Sequence, residues 1–451
     1  MFDVLLTNPR PVTMKGTKHE KLMYSHPAPG IGYLAAALRK INISVFLFDM
    51  GPSEKDADDI LHFIEEHDVK ILGISSFVAN HGNGMRIAKY VKAHYPSIKI
   101  IMGGPQATFI SEEILAAGCV DFVSFYEGER TLQELCSLIL QGETDYSGVK
   151  GLAYIDDDNA YHRTEDRAYI QNLDDIGMPA WDLYELDKYI CPGVILSGRG
   201  CPYRCIYCSA GAVSGSRYRT RSVNSVVDEI EYLYRECGVD YFFLADDTFT
   251  ADKQHCIEIC REIRRRNLNI HWEAEARANT VTDEIVKEMA LAGCRHVQIG
   301  AESGDNQVLK DIGKNITTDT IEKAVCKFLR VGITVVCSFI IGTPTETHDT
   351  FQRTLDFALK IRRLSKHNFT NCKFAILTPL PGTSVYEDRD KWGIELLTTN
   401  WDNYDFYDPV IRTKNLSEKD LRNMFMKAWV EYTKTEEEPW AFKTIKTREL
   451  S

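Results

Sequence analysis

Three cysteines in one short segment are the clearest chemical signal in the sequence. Cys201, Cys205 and Cys208 form the pattern C-x3-C-x2-C, whereas the other ten of the thirteen cysteines are scattered along the chain. Soft thiolates at this spacing suit an iron–sulfur cluster. A structural zinc site needs a fourth ligand and normally uses two C-x2-C-like pairs, but neither Cys191 nor Cys237 has a partner at that spacing. Three thiolates on a four-iron cluster leave one iron open, which is what a catalyst needs.

The residues around the three cysteines predict a basic loop. Gly198, Gly200 and Pro202 disfavour regular structure. The basic side chains of the same neighbourhood are Arg204, Arg217, Arg219 and Arg221. A basic loop suits a cluster that must accept an electron, and the alternative is that these arginines are simply solvated.

The first half of the chain predicts a doubly wound parallel sheet, because short apolar runs alternate there with amphipathic helical segments. The apolar runs are Phe2–Thr7, Val45–Asp49, Ile71–Ser76, Ile98–Met102 and Phe122–Phe125. Such sheets bind ligands at the carboxyl ends of their strands. No G-x-G-x-x-G and no P-loop motif occurs, which disfavours dinucleotides and P-loop ligands. The residues alone leave a nucleotide, a flavin and a corrin open.

The second half predicts a barrel or partial barrel of six βα units, preceded by a hairpin and an irregular linker. Its apolar runs are Val194–Ser197, Tyr241–Ala245, Ile270–Ala276, His296–Ala301, Val335–Ile341 and Phe374–Thr378. We therefore expect an α/β chain with a sheet domain over 1–147, a hairpin and linker over 148–192, a barrel over 193–384 and a small, mainly helical C-terminal domain over 385–451.

The charge and hydropathy of the chain restrict its partners and its location. The net charge is −12, the opposite of what phosphate-backbone binding usually requires, so nucleic acid is disfavoured as a partner. No apolar stretch approaches the roughly 18 residues of a membrane span, and the N-terminal residues lack the pattern of a signal peptide. We expect a cytoplasmic protein with reduced cysteines.

The cysteine segment Ser197–Cys208, which reads SGRGCPYRCIYC, resembles the signature of the radical S-adenosylmethionine superfamily. That family has a (β/α)6 partial barrel. The resemblance implies a [4Fe-4S] cluster on the three cysteines, with S-adenosylmethionine chelated to its open iron. It also implies an external one-electron reductant, and a 5′-deoxyadenosyl radical that removes hydrogen from an unactivated carbon.

Segments that follow later barrel strands resemble the family's S-adenosylmethionine contacts. By this resemblance the cofactor-binding residues are Tyr207, Asp247, Arg277, Glu302, Ser303 and Gly342. A carboxylate such as that of Glu302 is a reasonable partner for the ammonium group of the methionine moiety.

Three segments of the first half, which begin at His26, Gly103 and Glu127, resemble the cobalamin-binding domain that precedes the barrel in one large class of the superfamily, the class B methyltransferases. The resemblance implies cobalamin as a further cofactor. By this resemblance its contacts are Thr7, Asn8, Pro9, Pro27, Gly30, Ser75, Ser76, Gly103, Gly104, Pro105, Gln106, Glu127 and Gly128. There is no D-x-H-x-x-G motif, so the base-off mode with an axial histidine on cobalt is not supported. Position 106 is Gln where His is common, which weakens the case that this side chain contacts cobalt.

The resemblance implies a C-methyltransferase that acts on a small-molecule, peptide or protein substrate through the 5′-deoxyadenosyl radical and methylcobalamin. Non-methylating cyclisation or rearrangement by the same two domains is the alternative, and a non-enzymatic corrinoid- or cluster-binding protein is a third. Methylthiotransferases need three further N-terminal cysteines, and only Cys119 and Cys136 are present there. Enzymes with auxiliary clusters need cysteines after the barrel, and none follows Cys372.

Overall fold

A computed structural model describes residues 2–12, 26–53, 55–364 and 370–433 of the chain. The first half forms a seven-stranded sheet in the order β2-β1-β3-β4-β5-β6-β7. Its strands are β1 (Val4–Asn8), β2 (Val45–Asp49), β3 (Ile71–Ser75), β4 (Lys99–Gly103), β5 (Phe122–Ser124), β6 (Leu152–Ile155) and β7 (Tyr161–Arg163). The first five strands pair in parallel. The strands β6 and β7 are the predicted hairpin, and they extend this sheet in antiparallel fashion.

Helices connect the parallel strands and cover the sheet, as the alternating sequence pattern predicts. They are α1 (Pro29–Arg39), α2 (Met50–Ser53), α3 (Ala57–His67), α4 (His81–His94), α5 (Pro105–Phe109), α6 (Ser111–Ala116) and α7 (Gly128–Gln141). Asp56 begins α3 with a capping box, and Gly142 ends α7 in the left-handed conformation that favours glycine. Val4, Leu5, Ile71 and Leu72 are completely buried, as expected for strands covered on both faces.

The second half forms an open barrel of six parallel strands in sequential order. These strands are β8 (Gly193–Ile195), β11 (Tyr241–Leu244), β12 (His271–Ala276), β13 (Cys294–Glu302), β14 (Thr334–Ile341) and β15 (Thr370–Ile376). A two-stranded ribbon, β9 (Gly198–Arg199) with β10 (Arg219–Thr220), follows β8 and carries the cysteine segment in its connection.

The helices of the second half surround the open barrel. They are α8 (Ala210–Ser214), α9 (Val223–Glu236), α10 (Lys253–Arg265), α11 (Asp283–Leu291), α12 (Asn306–Asp311), α13 (Thr318–Arg330) and α14 (His348–Arg362). The predicted fold class, a doubly wound sheet followed by a (β/α)6 partial barrel, is confirmed.

The C-terminal region packs on the last barrel strands. It contains α15 (Ser384–Glu387), α16 (Arg389–Trp392), β16 (Ile394–Leu396), β17 (Ile411–Thr413) and α17 (Glu418–Thr433). Leu421 and Met424 of α17 share one apolar core with Ile341 and Phe351 of the barrel. The antiparallel pair β16–β17 adds a small sheet to a region predicted as mainly helical. The predicted tail beyond residue 433 lies outside the described residues. Over the part of the chain that is described, no helix has the length and apolar character to span a membrane.

Candidate functional site

The three signature cysteines line one cavity of about 480 Å³, which we call the thiol cavity. Their loop leaves the ribbon at Gly200, whose φ is +91°, and a Cβ there would lie 2.3 Å from the carbonyl oxygen of Arg217. Only glycine fits such a turn. Burial raises the pKa of Cys201, and it raises the pKa of Cys208 to about 12. Burial thus favours the neutral thiols, whereas bound iron would favour the thiolates.

Arg277 brings a positive charge to the thiols. Its Nη1 donates to the Sγ of Cys205 at 3.6 Å, and its guanidinium carbon lies 3.9 Å from the ring centre of Tyr203. A second bond, from Nη2 to the backbone oxygen of Lys314, orients the group further. Arg277 is buried, and its Nε has no hydrogen-bond partner among the described residues. The guanidinium is thus fixed against the cluster position and keeps one donor unused.

A buried ion pair forms another wall of the thiol cavity. The Nζ of Lys314 lies 2.9 Å from Oε1 of Glu302 and 3.4 Å from the hydroxyl of Tyr207. Glu302 has a φ of +65°, and the register of β13 against β14 shifts between Gly300 and Glu302. Left-handed backbone at a residue other than glycine is costly and is found at functional sites. The bulge aims the Glu302 carboxylate into the cavity.

A second cavity, of about 570 Å³, lies between the two halves, and we call it the interface cavity. Small residues of the first half line one side: Gly73 and Ser75 of β3, Gly103 and Gly104 at the end of β4, and Gly128 at the start of α7. Val194, Leu196 and Phe243 of the barrel line the opposite side. The Oγ of Ser124 and Oε2 of Glu129 are buried there without hydrogen-bond partners among the described residues. The cavity therefore combines apolar walls with a few unused polar atoms.

Asp247 belongs to the lining of both cavities. It follows β11, and burial raises the pKa of its carboxyl group. Glu275 of β12 lines the thiol cavity, and burial, followed by the nearby charge of Asp247, raises its pKa to about 7. The Nε2 of Gln298 donates to Oε1 of Glu275 at 3.3 Å. The two cavities therefore adjoin at Asp247, beside a polar wall of the barrel.

Comparison with known proteins agrees with these two cavities. Residues 195–358 match the model of the radical SAM superfamily, and residues 20–136 match the B12 binding domain. An uncharacterised methyltransferase of Pyrococcus horikoshii is 34% identical over 412 residues, which cover 90% of this chain and 87% of the relative. The chain belongs to the cobalamin-dependent radical S-adenosylmethionine enzymes.

Two further proteins are similar to this chain. The anaerobic magnesium-protoporphyrin IX monomethyl ester cyclase of Rubrivivax gelatinosus is 27% identical, with 91% of this chain and 76% of the cyclase covered. The structure of the methyltransferase TsrM from Kitasatospora setae, with cobalamin and a [4Fe-4S] cluster bound, superposes with a TM-score of 0.75 at 18% identity, covering 95% of this chain and 89% of TsrM. The predicted family, its enzymatic nature and its three cofactors are confirmed.

The thiol cavity fits the cluster of a radical S-adenosylmethionine enzyme. Within the described ranges, no three His, Cys, Asp or Glu side chains converge closely enough to hold a single metal ion. Cys201, Cys205 and Cys208 all line the one cavity. Thiolates are the ligands that iron–sulfur clusters use, so this donor set fits such a cluster.

The interface cavity fits a corrin. Glycines allow close approach of a large flat ligand. Gly104 has a φ of +107°, and a Cβ there would lie 2.7 Å from the backbone oxygen of Ser76, so this position needs glycine. The unused oxygens of Ser124 and Glu129 can accept hydrogen bonds from the amide groups at a corrin's periphery.

The structure brings most of the predicted cofactor contacts to the two cavities. Those that line the thiol cavity, besides the cysteines, are Tyr207, Asp247, Arg277 and Glu302. Those that line the interface cavity are Pro27, Gly30, Ser75, Gly103, Gly104, Pro105, Glu127 and Gly128.

Other predicted contacts lie behind the cavity walls. Those outside both linings are Thr7, Asn8, Pro9, Ser76, Gln106, Ser303 and Gly342. Thr7 donates to the backbone oxygen of Phe48, and the Ser76 hydroxyl bonds His81, so both support the sheet. Ser303 bonds Thr354, and Gly342 donates its N–H to Glu346. These residues shape the strand ends that carry the lining.

Asn8, Pro9 and Gln106 also have structural surroundings. Asn8 donates to Asp49, and the backbone oxygen of Pro9 accepts from Asn80. Gln106 is buried in α5, and its Nε2 has no hydrogen-bond partner in the described part of the chain. Two of the four arginines that were predicted to make the cysteine loop basic are neutralised by carboxylates, because Arg219 is paired with Glu127 and Arg221 with Glu229.

Several residues of the site were not predicted. Lys314 and Gln298 carry no recognisable spacing signal, because α12 and the barrel register bring them to the cavity. Glu275, Arg199 and Glu129 do stand inside segments that carry the family resemblance, so their positions were visible in the sequence, although the contacts of Glu275 and the pairing of Arg199 with Glu129 were not.

Proposed function

We propose that this chain is a C-methyltransferase that acts on an unactivated carbon of a small molecule. The observation that carries the proposal is that Asp247 lines both the thiol cavity and the interface cavity. A substrate held beside Asp247 is within reach of a radical formed on one side and of a methyl donor on the other. This geometry suits hydrogen removal and methyl transfer at the same carbon.

The bound cofactors supply a carbon-centred radical and a methyl group, and the chain supplies their positions. Cys201, Cys205 and Cys208 hold the cluster. Arg277 neutralises thiolate charge at Cys205, to which it already donates at 3.6 Å. Lys314 is a suitable partner for the carboxylate of the methionine moiety, and Glu302 for its ammonium group.

The polar wall formed by Glu275 and Gln298 would orient the substrate. With a pKa of about 7, Glu275 can donate or accept a hydrogen bond near neutral pH. Apolar side chains of the interface cavity, such as that of Phe243, would help to keep water away from a radical and so limit its side reactions.

Methyl transfer is favoured by the names of several relatives. The relative from Pyrococcus horikoshii is called a methyltransferase, and so is the 26% identical cytidylyl-2-hydroxyethylphosphonate methyltransferase of Streptomyces wedmorensis. The second candidate function is a non-methylating cyclisation, which is supported by the cyclase of Rubrivivax gelatinosus. The two reactions differ in whether a methyl group reaches the product.

The remaining parts of the proposal concern partners, location and domains. An external one-electron reductant supplies the electron, and a peptide or protein side chain is the alternative substrate. The thirteen cysteines, which we expect to be reduced, suit a cytoplasmic environment. We retain the division into a corrin domain over 1–147, a hairpin and linker over 148–192, a barrel over 193–384 and a helical C-terminal cap over 385–451. The hairpin β6–β7 of the second segment extends the sheet of the first.

Label transfer tests this function. The anaerobically reconstituted enzyme is incubated with cobalamin, a reductant, a cell metabolite extract and S-adenosylmethionine that carries a deuterated methyl group. We expect equal amounts of 5′-deoxyadenosine and S-adenosylhomocysteine, together with one metabolite that has gained the labelled methyl on carbon.

The test variant is Cys208→Ser, and its matched control is Cys326→Ser, which changes a cysteine outside the thiol cavity. Only Cys208→Ser should abolish formation of 5′-deoxyadenosine. Production of 5′-deoxyadenosine with neither S-adenosylhomocysteine nor a labelled metabolite would instead support the cyclase alternative.

A further inference from the structure

A buried ion network joins the first sheet to the ribbon that carries the cysteine loop. The Nη2 of Arg199 lies 2.6 Å from Oε1 of Glu129, and its Nη1 lies 3.3 Å from Oε1 of Glu127. The Nη2 of Arg219 lies 2.9 Å from the same oxygen of Glu127. All four side chains are at most 14% exposed. Two positive and two negative groups are therefore balanced away from water.

The network connects the segments that carry the two cofactor sites. Arg199 and Arg219 stand opposite each other in the β9–β10 register, and Arg199 precedes Cys201 by two residues. Glu127 and Glu129 lie at the start of α7, where the first sheet meets the interface cavity. Because a buried charge that loses its partner is strongly destabilising, these pairs hold the base of the cysteine loop against the wall of the interface cavity.

Glu129 also faces the interface cavity itself. Its Oε1 accepts from Arg199, whereas Oε2 is buried and has no hydrogen-bond partner among the described residues. Glu129 is only 5% exposed and is part of the cavity lining. A buried acceptor left unpaired is costly, so this oxygen is suited to a donor on the ligand. The primary amides of a corrin's periphery are such donors.

We propose that Glu129 binds a peripheral amide of cobalamin and that Arg199 transmits this occupancy to the cysteine loop. Glu129 is then a corrin-binding residue, and Arg199 is a positioning residue. The inference takes from the proposed function only that the interface cavity binds cobalamin. Because such coupling is reciprocal, cobalamin changes the affinity of the cluster site for S-adenosylmethionine, and S-adenosylmethionine changes the affinity for cobalamin by the same factor.

Two binding measurements test this proposal. The affinity of the cluster-loaded protein for S-adenosylmethionine is measured by equilibrium dialysis with and without hydroxocobalamin, and the affinity for hydroxocobalamin is measured by absorbance with and without S-adenosylmethionine. We expect each ligand to tighten the other about fivefold or more. Absence of coupling in the unmodified protein would overturn the proposal.

Three variants assign the coupling to this network. Glu129→Gln removes the charged acceptor and should weaken hydroxocobalamin binding about tenfold. Arg199→Lys retains the charge but loses the fork that spans two carboxylates, so the coupling should disappear while hydroxocobalamin still binds. Glu134→Gln is the control, because Glu134 is on the same helix and pairs with Arg167 at the surface.

The result that would contradict the assignment is full coupling in both Glu129→Gln and Arg199→Lys. Neither measurement depends on turnover. Coupling in a protein that never methylates a substrate would therefore support this inference and refute the proposed function. Methylation without coupling would support the proposed function and refute this inference.

Discussion

The guanidinium of Arg277 lies 3.6 Å from the Sγ of Cys205, so a buried cation touches a thiol that we propose as a cluster ligand. The same side chain stacks on Tyr203 at 3.9 Å and is fixed by the backbone of Lys314. Positive charge and N–H···S bonds raise the reduction potential of an iron–sulfur cluster. The relationship gives Arg277 a role in setting how readily the cluster accepts an electron.

Replacing Arg277 with glutamine should lower the cluster's midpoint potential. The loss of a charged donor at Cys205 favours the oxidised cluster, and we expect a shift of roughly 60 mV, which for one electron equals a tenfold change. The measurement is a redox titration followed by electron paramagnetic resonance. Arg261→Gln, which changes an arginine paired with Glu284 and Glu288 at the surface, should leave the potential unchanged. Equal potentials in both variants would refute this role.

Loss of Lys314 should destabilise the folded chain. Lys314 and Glu302 are both 7% exposed, so Lys314→Met leaves a buried carboxylate without its cation. We expect the free energy of unfolding of the apoprotein in urea to fall by about 3–5 kcal/mol. Lys323→Met, which breaks an exposed pair with Asp319, should cost less than about 1 kcal/mol. Similar losses of unfolding free energy in the two variants would show that the buried pair stabilises the fold no more than the exposed pair does.

Gly104→Ala should weaken cobalamin binding. The new Cβ would lie 2.7 Å from the backbone oxygen of Ser76 in a residue with φ of +107°, so the strand-end loop must move. Strain of about 1–3 kcal/mol is expected, much of it released by distorting the interface cavity. Gly118→Ala is the control, since Gly118 has a φ of +69° but no atom within 4 Å of the added Cβ. An absorbance titration with hydroxocobalamin should separate the two variants, and equal affinities would contradict the assignment.

Glu346 should make stability decrease as the pH rises. Burial raises the pKa of this carboxyl group from 4.5 to about 8 in the folded chain. The folded state therefore holds a proton that the unfolded state releases. The stabilisation is complete below pH 4.5 and is lost as the pH rises through about 8, at a slope of at most roughly 1.4 kcal/mol per pH unit.

Glu346→Gln removes this titration but keeps an acceptor for the N–H of Gly342. Urea unfolding between pH 5 and pH 8 should therefore show a smaller fall in stability for the variant than for the unmodified chain. If the free energy of unfolding depends on pH in the same way in the two proteins, Glu346 does not hold a proton in the folded chain.

The sequence predicted those features that depend on local pattern. Alternating apolar runs located the strands of both sheets, and the spacing of Cys201, Cys205 and Cys208 indicated the loop that lines the thiol cavity. Glu127 and Gly128 were found because they follow a strand of the first sheet, and strand ends of such sheets meet at one edge.

Features that depend on tertiary packing were not predicted. Lys314 reaches Glu302 only because the chain turns back toward the barrel after α12, and no periodic pattern in the sequence predicts this turn. Ser303 and Gly342, which stay predicted cofactor contacts, also make hydrogen bonds to Thr354 and Glu346 that the sequence did not indicate. The pairing of Arg199 with Glu129 joins residues 70 positions apart, so it emerges only when the two halves dock.

The central claim is that the two cofactor cavities adjoin at Asp247 and form one active centre. Electron paramagnetic resonance of the protein loaded with cob(II)alamin and the reduced cluster tests it without knowledge of the substrate. We predict that reducing the cluster broadens or splits the cob(II)alamin signal, and that Cys208→Ser abolishes this effect. A cob(II)alamin spectrum that is identical with oxidised and reduced clusters would contradict the account.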